Sequence, residues 1–201
     1  MKLYYATGAC SLGPHIIIRE AGLDAELDKV TFGAERTTES GKDFYTINPQ
    51  GAVPVLETGD GETLTEAQVL LQYLASLAPA KNLMPTEGFA KWRALATLNF
   101  IATELHKGTS PLFRKPNDEA RDAAHKLLQN RWGLFAQKLG DKDYVVGEFS
   151  VADAYAFTVL RWARQFKVDL SALPTLEAYF QRVQARPAVQ QALTEEGLPT
   201  S

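Results

Sequence analysis

Residues 2–22 read KLYYATGACSLGPHIIIREAG, and this stretch decides the fold. Leu3-Tyr4-Tyr5 is a short β-forming run, and residues 12–21 after it carry apolar groups at helical spacing up to a closing Gly22. Residues 26–32 are extended again, which makes a β-α-β unit. Further on, 43–47 predicts one helical turn. Val53-Pro54-Val55-Leu56 and Glu62-Thr63-Leu64 flank the turn Gly59-Asp60-Gly61 as a hairpin. The next helix is predicted to open on a capping box of Thr65 with Gln68, to bury Ala67, Leu70, Leu71, Leu74, Leu77 and Ala78, and to end at Pro79. The expected order is β-α-β-α-β-β-α.

Beyond Pro85 the pattern is helical throughout, with segments at 87–107, 118–139, 150–166, 175–185 and 188–193. Ser150 followed by Asp153 reads as a structural capping box. The change of character near 79–85 marks a linker, so an α/β domain is expected at 1–79 and an all-α domain at 86–201. A chain of 201 residues buries roughly 70% of its unfolded surface, enough for a true core.

Composition narrows the function classes. With 45% hydrophobic and 22% charged residues, the chain is an ordinary globular protein rather than a disordered one. A net charge of −3 supplies no field for nucleic acid or an anionic membrane, which leaves small molecules and protein surfaces as partners. Cys10 is the only cysteine, so no intrachain disulfide forms and a reducing cytoplasmic setting is expected. The first residues lack an apolar signal core, and Ile16-Ile17-Ile18 stops at Arg19-Glu20, so neither a signal peptide nor a spanning helix is expected. His15, His106 and His125 are too scattered for a metal site, and no metal is expected. His15 and His125 read as solvated helix positions, and Glu195-Glu196 as solvated surface. No GxGxxG, Walker A or GxSxG stretch is present.

Chemistry concentrates at Cys10. It lies between a predicted strand and a predicted helix, where unpaired backbone N–H groups and the helix dipole favour the thiolate. Ala9, Ser11 and Gly13 around it are small or polar and leave the sulfur approachable, whereas a lone cysteine is otherwise buried and inert. Gly13 stands where a thioredoxin-type motif has its second cysteine, so any disulfide forms with an outside thiol, of which glutathione is the commonest in a reducing cytosol.

Other residues suit a γ-glutamyl tripeptide. An isolated Val53-Pro54 reads as trans on an edge strand, while a cis bond there would turn the Val53 N–H and C=O outward to pair with a peptide. At Thr65-Glu66-Ala67 a helix N-terminus could take a carboxylate while Glu66 accepts an ammonium; taken alone, Glu66 is a first-turn acid favoured by the dipole. Trp92, Leu95, Ala96, Asn99, Ala102, Thr103 and His106 share one helical face. Its apolar stripe turns polar at Asn99, Thr103 and His106, with Lys107 beyond, a suitable wall for a polar ligand.

These residues resemble a known family. Tyr5, Gly8-Ala9-Cys10-Ser11, Asn48-Pro49-Gln50-Gly51-Ala52-Val53-Pro54, Asp60-Gly61, Leu64-Thr65-Glu66 and Tyr73-Leu74 resemble the N-terminal domain of cytosolic glutathione transferases. Residues 99–107, Pro111-Leu112-Phe113 and Ser150-Val151-Ala152-Asp153-Ala154-Tyr155 resemble their helical domain, and Cys10 with Thr103-Glu104-Leu105-His106-Lys107 is similar to the bacterial beta class. The resemblance implies a thioredoxin-like domain joined to a helical one, a homodimer, and glutathione as co-substrate for a small hydrophobic electrophile. It implies that Cys10 can hold glutathione as a mixed disulfide, that Val53 pairs with the cysteinyl backbone, and that Glu66 and Ala67 hold the γ-glutamyl end. By the same match Asn99, Thr103, His106 and Lys107 line the site and Glu104 reaches the neighbouring subunit's ligand; where the family places a lysine after the second strand this chain has Glu35-Arg36, with an apparent one-residue insertion before Asn48, and Arg36 could supply the charge for the glycyl carboxylate.

Two activities follow from that match. Conjugation needs glutathione's thiolate stabilised by Cys10, Ser11 and His106, while thiol–disulfide exchange makes Cys10 itself the nucleophile; Tyr5 is a weaker candidate. Leu112, Phe113, Tyr155 and Trp162 are the expected electrophile surface. The alternatives are a non-enzymatic interaction module on the same fold, or a glutathione-dependent isomerase or dehalogenase.

Overall fold

The computed structural model describes residues 1–33 and 35–200. The chain divides into two compact units: Met1–Leu83 together with the chain from Arg186 onward, and Met84–Ala185.

The first unit is built on a five-stranded sheet of order β3-β2-β1-β4-β5. Its centre is β1 (Lys2–Tyr5), which pairs in parallel with β2 (Glu26–Thr31) through Leu3 opposite Leu27, and antiparallel with β4 (Val55–Glu57) through Leu3 opposite Leu56. Leu3 and Tyr4 are fully buried, as expected of a strand paired on both sides and covered on both faces. A two-residue strand, β3 (Thr37–Thr38), borders β2; it is too short to leave a periodic signature, and the sequence reading missed it. The hairpin of β4 with β5 (Thr63–Thr65) forms as expected, turning at Gly61, whose φ of 86° suits glycine. The predicted turn at 43–47 is a 3-10 turn, Phe44–Thr46, capped by the Asp43 carboxylate accepting from the Tyr45 amide. It drives Phe44 into a cluster with Tyr4, Val30, Val53 and Val55.

Helix α1 (Leu12–Ala21) ends as read from the sequence: Gly22 is left-handed at φ 68°, and the Leu23 amide reaches back to the Ile18 carbonyl in a Schellman closure. Its unbroken Ile16-Ile17-Ile18 run is buried because α1 packs against two helices, α2 (Ala67–Ser76) and a C-terminal helix from Pro187 to Glu195. Helix α2 starts later than expected. Thr65 is held in the ladder opposite Val55, so it cannot cap, and no capping box forms; Glu66 takes the cap position at φ 67° with no side-chain cap bond. Leu70, Leu71 and Leu74 are buried as expected, while Leu77 is exposed past the helix end.

The second unit is helical: α3 (Gly88–Phe100), a π-helical segment Ile101–His106, α4 (Lys107–Thr109), α5 (Asp118–Leu139), α6 (Val151–Gln165) and α7 (Pro174–Gln184). Almost every residue of α6 is buried. Its start is fixed by the expected capping box, in which Asp153 accepts from the Ser150 amide and hydroxyl at 2.9 and 2.8 Å. The same carboxylate accepts from the Val145 amide and the Tyr179 hydroxyl, so one acid ties α6 to α7 and to the preceding loop.

The last helix, α8 (Pro187–Glu195), departs from the expected boundary that put 86–201 in the helical domain. It buries Val189, Ala192 and Leu193 and packs on α1, and Arg186 forms a forked ion pair with Glu20. Its own amphipathic face could have served either unit; its partner was decided by apolar packing on α1, joined by the Glu20–Arg186 pair, between residues far apart in the chain.

Candidate active site

In the first unit the chain between β1 and α1 is a tight loop stitched by short bonds. The Ala9 amide reaches the Ala6 carbonyl, the Leu12 amide reaches the Ala9 carbonyl, and the buried Ser11 hydroxyl bonds both the amide and the carbonyl of Ala6. Ser11 is therefore spent on shaping the loop, and Tyr5 is buried with its hydroxyl pushed up by that burial. Cys10 is half-buried, and its thiol donates to the Val53 carbonyl at 3.2 Å. Burial pushes the thiol up to about 12, against the backbone N–H groups of Cys10 and Ser11, and the Glu66 carboxylate adds to the rise. Desolvation thus works against the thiolate that the helix terminus was expected to favour, and in this geometry the sulfur is a hydrogen-bond donor.

The other expected groups of this unit lie around that loop. The Val53–Pro54 bond is cis, against the trans reading. Glu66 is exposed and holds a positive φ that side chains rarely adopt, a type of strain that concentrates at ligand sites. Its carbonyl takes the amides of Val69 and Leu70, while Ala67 and Gln68 stand ahead of those bonds in the first turn of α2. Arg36 stacks its guanidinium on Phe32 at 4.7 Å, faces Tyr45 at 5.8 Å, and donates to the Gly51 carbonyl. Glycine suits position 51: a side chain is strained at φ 62°, and an added Cβ would stand 2.6 Å from the Tyr45 ring.

In the second unit, the face expected to be an apolar stripe is the open one. Trp92 is 59% exposed, and Asn99, Thr103 and Lys107 are exposed with it, whereas Ala94, Leu98, Ile101 and Leu105 form the buried face. The π-helical widening at 101–106 carries Thr103, Glu104 and His106 within a single turn, and such widenings are often found at functional sites. His106 faces the Tyr155 hydroxyl at 2.6 Å through Nδ1 and meets Trp162 edge-on at 4.9 Å. Burial pulls its ring down to about 4, with the Lys107 charge adding, so the imidazole is neutral at pH 7. Phe113, half exposed, stands edge-on to Trp162 at 5.3 Å and to Phe166 at 4.8 Å, while Leu112, Tyr155 and Trp162 are buried. Glu104 pairs with Arg131 of its own chain at 2.6 Å.

Comparison with known proteins matches residues 7–77 to the glutathione S-transferase N-terminal domain and 100–187 to the C-terminal domain. Glutathione S-transferase GstA of Escherichia coli O157:H7 is 42% identical over 98% of this chain and 100% of that protein. The chain belongs to the glutathione S-transferase family. A sphingomonad glutathione S-transferase solved with glutathione superposes with a TM-score of 0.92 at 44% identity, covering 99% of this chain and 100% of the other. A bacterial beta-class transferase from Sphingomonas chungbukensis gives 0.93 at 44%, again over 99% and 100%. Transferases align with the whole chain, so the protein is an enzyme of this family and the interaction-module reading falls.

The sequence reading of this transferase missed one cluster of the first unit. His15, expected on a solvated face, is fully buried between Glu196 at 3.0 Å through Nδ1 and Glu195 at 2.7 Å through Nε2. Arg19 joins Glu195 at 2.7 Å, and Glu196, expected as solvated surface, is buried. The helical spacing of Leu12, His15 and Ile16 puts the histidine on an apolar face, which was the available signal. In the second unit the missed group is the Tyr155 hydroxyl against His106, joined across 49 residues of chain. No helix among the described residues is long and apolar enough to cross a membrane.

Proposed function

We propose that this transferase conjugates reduced glutathione to small apolar electrophiles, and that Cys10 serves as a neutral donor to the glutathione thiolate. The observation that carries the reading is the Cys10 thiol donating to the Val53 carbonyl at 3.2 Å. A tripeptide pairing its backbone with Val53 brings its own sulfur beside that donor. The S–H then turns from a carbonyl to a thiolate, a stronger acceptor, and the hydrogen bond lowers the pKa of the bound glutathione. The γ-glutamyl carboxylate is received by the first-turn amides of α2 at Ala67 and Gln68, its ammonium by Glu66, and the glycyl carboxylate by Arg36. Attack of the thiolate on the electrophile forms the carbon–sulfur bond and expels the leaving group with its electron pair.

Thiol–disulfide exchange through Cys10 requires the ionised sulfur, which burial disfavours, so it is the slower chemistry at neutral pH. In it the Cys10 thiolate attacks a glutathione disulfide, forms the mixed disulfide and releases one glutathione thiolate. In the second unit Asn99, Thr103, His106 and Lys107 are candidates whose substitution raises KM for glutathione, and half-exposed Phe113, held edge-on against buried Trp162, offers an aromatic surface to an aryl electrophile. Phe89 and Trp92, the most exposed large apolar side chains, support a homodimer, checked by light scattering. The cysteine content supports a cytoplasmic setting.

The test is steady-state conjugation of glutathione to an aryl halide by Cys10→Ala and Cys10→Ser. Losing one hydrogen bond to a charged sulfur lowers kcat/KM of the alanine variant by roughly 10- to 100-fold, while the serine hydroxyl donates in its place and keeps most of the rate. An alanine variant as active as the parent overturns the donor role.

A further inference from the structure

The loop that carries Cys10 is held from outside by the C-terminal segment. Glu196 accepts from the Gly8 amide at 2.7 Å through Oε2 and faces the His15 ring at 3.0 Å through Oε1, with its side chain fully buried. Gly8 is left-handed at φ 68°, and Leu198 lies against it, 3.5 Å from where a Cβ would stand. His15 is in turn gripped on its other nitrogen by Glu195, which also takes Arg19 and Gln191. A buried carboxylate is retained only where it is fully paired, and the pairing here ends on the backbone two residues before the working cysteine.

We propose that Glu196 is a positioning residue: through the Gly8 amide it fixes the Gly8–Cys10 loop and so keeps the Cys10 sulfur seated against the Val53 carbonyl. The C-terminal segment thus sets how far the thiol is released to solvent. This rests on Cys10 being the working thiol, and it adds a part of the chain that lies outside the family's matched C-terminal domain at 100–187.

The test uses the full chain and the rate at which iodoacetamide alkylates Cys10, read by mass spectrometry beside the melting temperature. Glu196→Ala removes this acceptor from the Gly8 amide, and losing a charge-assisted bond there raises the alkylation rate roughly tenfold. Glu196→Gln keeps an acceptor oxygen for Gly8 and an amide for His15, so it reacts at the parent rate. Glu195→Ala breaks the neighbouring contacts to His15 and Arg19 without touching Gly8; it lowers the melting temperature and leaves alkylation unchanged. If Glu196→Ala does not fold, Glu196→Asp withdraws the carboxylate by one methylene and is read the same way. Parent-like alkylation in folded Glu196→Ala or, where that does not fold, Glu196→Asp, or equal acceleration in Glu195→Ala, overturns the proposal. No glutathione enters this assay, so a failure here is separable from a failure of the donor role, which is read by conjugation in the Cys10 variants.

Discussion

An ordinary cysteine with a pKa near 8.5 is roughly 10% thiolate at pH 7.5, whereas one near 12 is roughly 0.003% ionised. Burial places the Cys10 thiol at about 12, so its reactive fraction is down by roughly three thousandfold. A more basic thiolate is intrinsically more nucleophilic, and a Brønsted slope of about 0.4–0.5 over this range returns roughly 40-fold. The net expectation is alkylation about a hundredfold slower than that of a free cysteine peptide at pH 7.5, rising with a logarithmic slope near one from pH 7 to 10 without a plateau. Because Cys10 is the only cysteine, iodoacetamide incorporation measured by mass spectrometry reports this site alone. A plateau below pH 9, or a rate at neutral pH matching the peptide, would show that the helix terminus outweighs burial and that the sulfur is an ionised nucleophile, refuting the neutral-donor account.

Two buried groups of the second unit titrate with opposite effects on stability. The His106 ring, pulled to about 4 by burial with Lys107 adding, binds its proton more weakly folded than unfolded. It stabilises above the unfolded value of about 6.5 by roughly 3 kcal/mol, lost as pH falls through that window to 4. Asp153, pushed up to about 6 by burial against its hydrogen bonds, has the reverse sign. Its roughly 3 kcal/mol is present below pH 4 and lost as pH rises through 6. Urea unfolding at pH 4.5 and 6.5 is therefore expected to show stability falling with pH in His106→Gln and rising with pH in Asp153→Asn; parallel slopes in the two variants would contradict these assignments. Asp153→Ala strands the buried donors of Val145, Ser150 and Tyr179 and is expected to cost roughly 3–5 kcal/mol at pH 7 in the same measurement. Gly51→Ala presses a methyl group into the Tyr45 ring and the Arg36 guanidinium, and is expected to raise KM for glutathione with little change in kcat.

Much of this architecture was legible before any coordinates, because local rules carried it. Gly22 at the end of an apolar helix, the Gly59–Gly61 turn between extended runs and the Ser150–Asp153 pair each specify their own geometry within a few residues, and each forms as read. Local reading failed where two rules competed for one residue. Thr65 is a good cap and a good strand residue, and pairing with Val55 won, which left Glu66 at a positive φ to start α2. The face holding Trp92 satisfied helical periodicity, yet the parallel set Ala94, Leu98, Ile101 and Leu105 is the one with neighbours to pack on.

The amino-acid order by itself fixed the α/β half, the helical half, and which residue types stand at Cys10, Val53, Glu66 and His106. Tertiary structure alone decided what those groups are chemically. The Cys10 and His106 environments are set by burial and by partners 43 and 49 residues away in the chain, Val53 and Tyr155. Desolvation depends on what packs around a group, a quantity no neighbouring residue encodes. For the same reason the pairing of His15 with Glu195 and Glu196, some 180 residues apart, was invisible until the C-terminal helix was seen to close on the first unit.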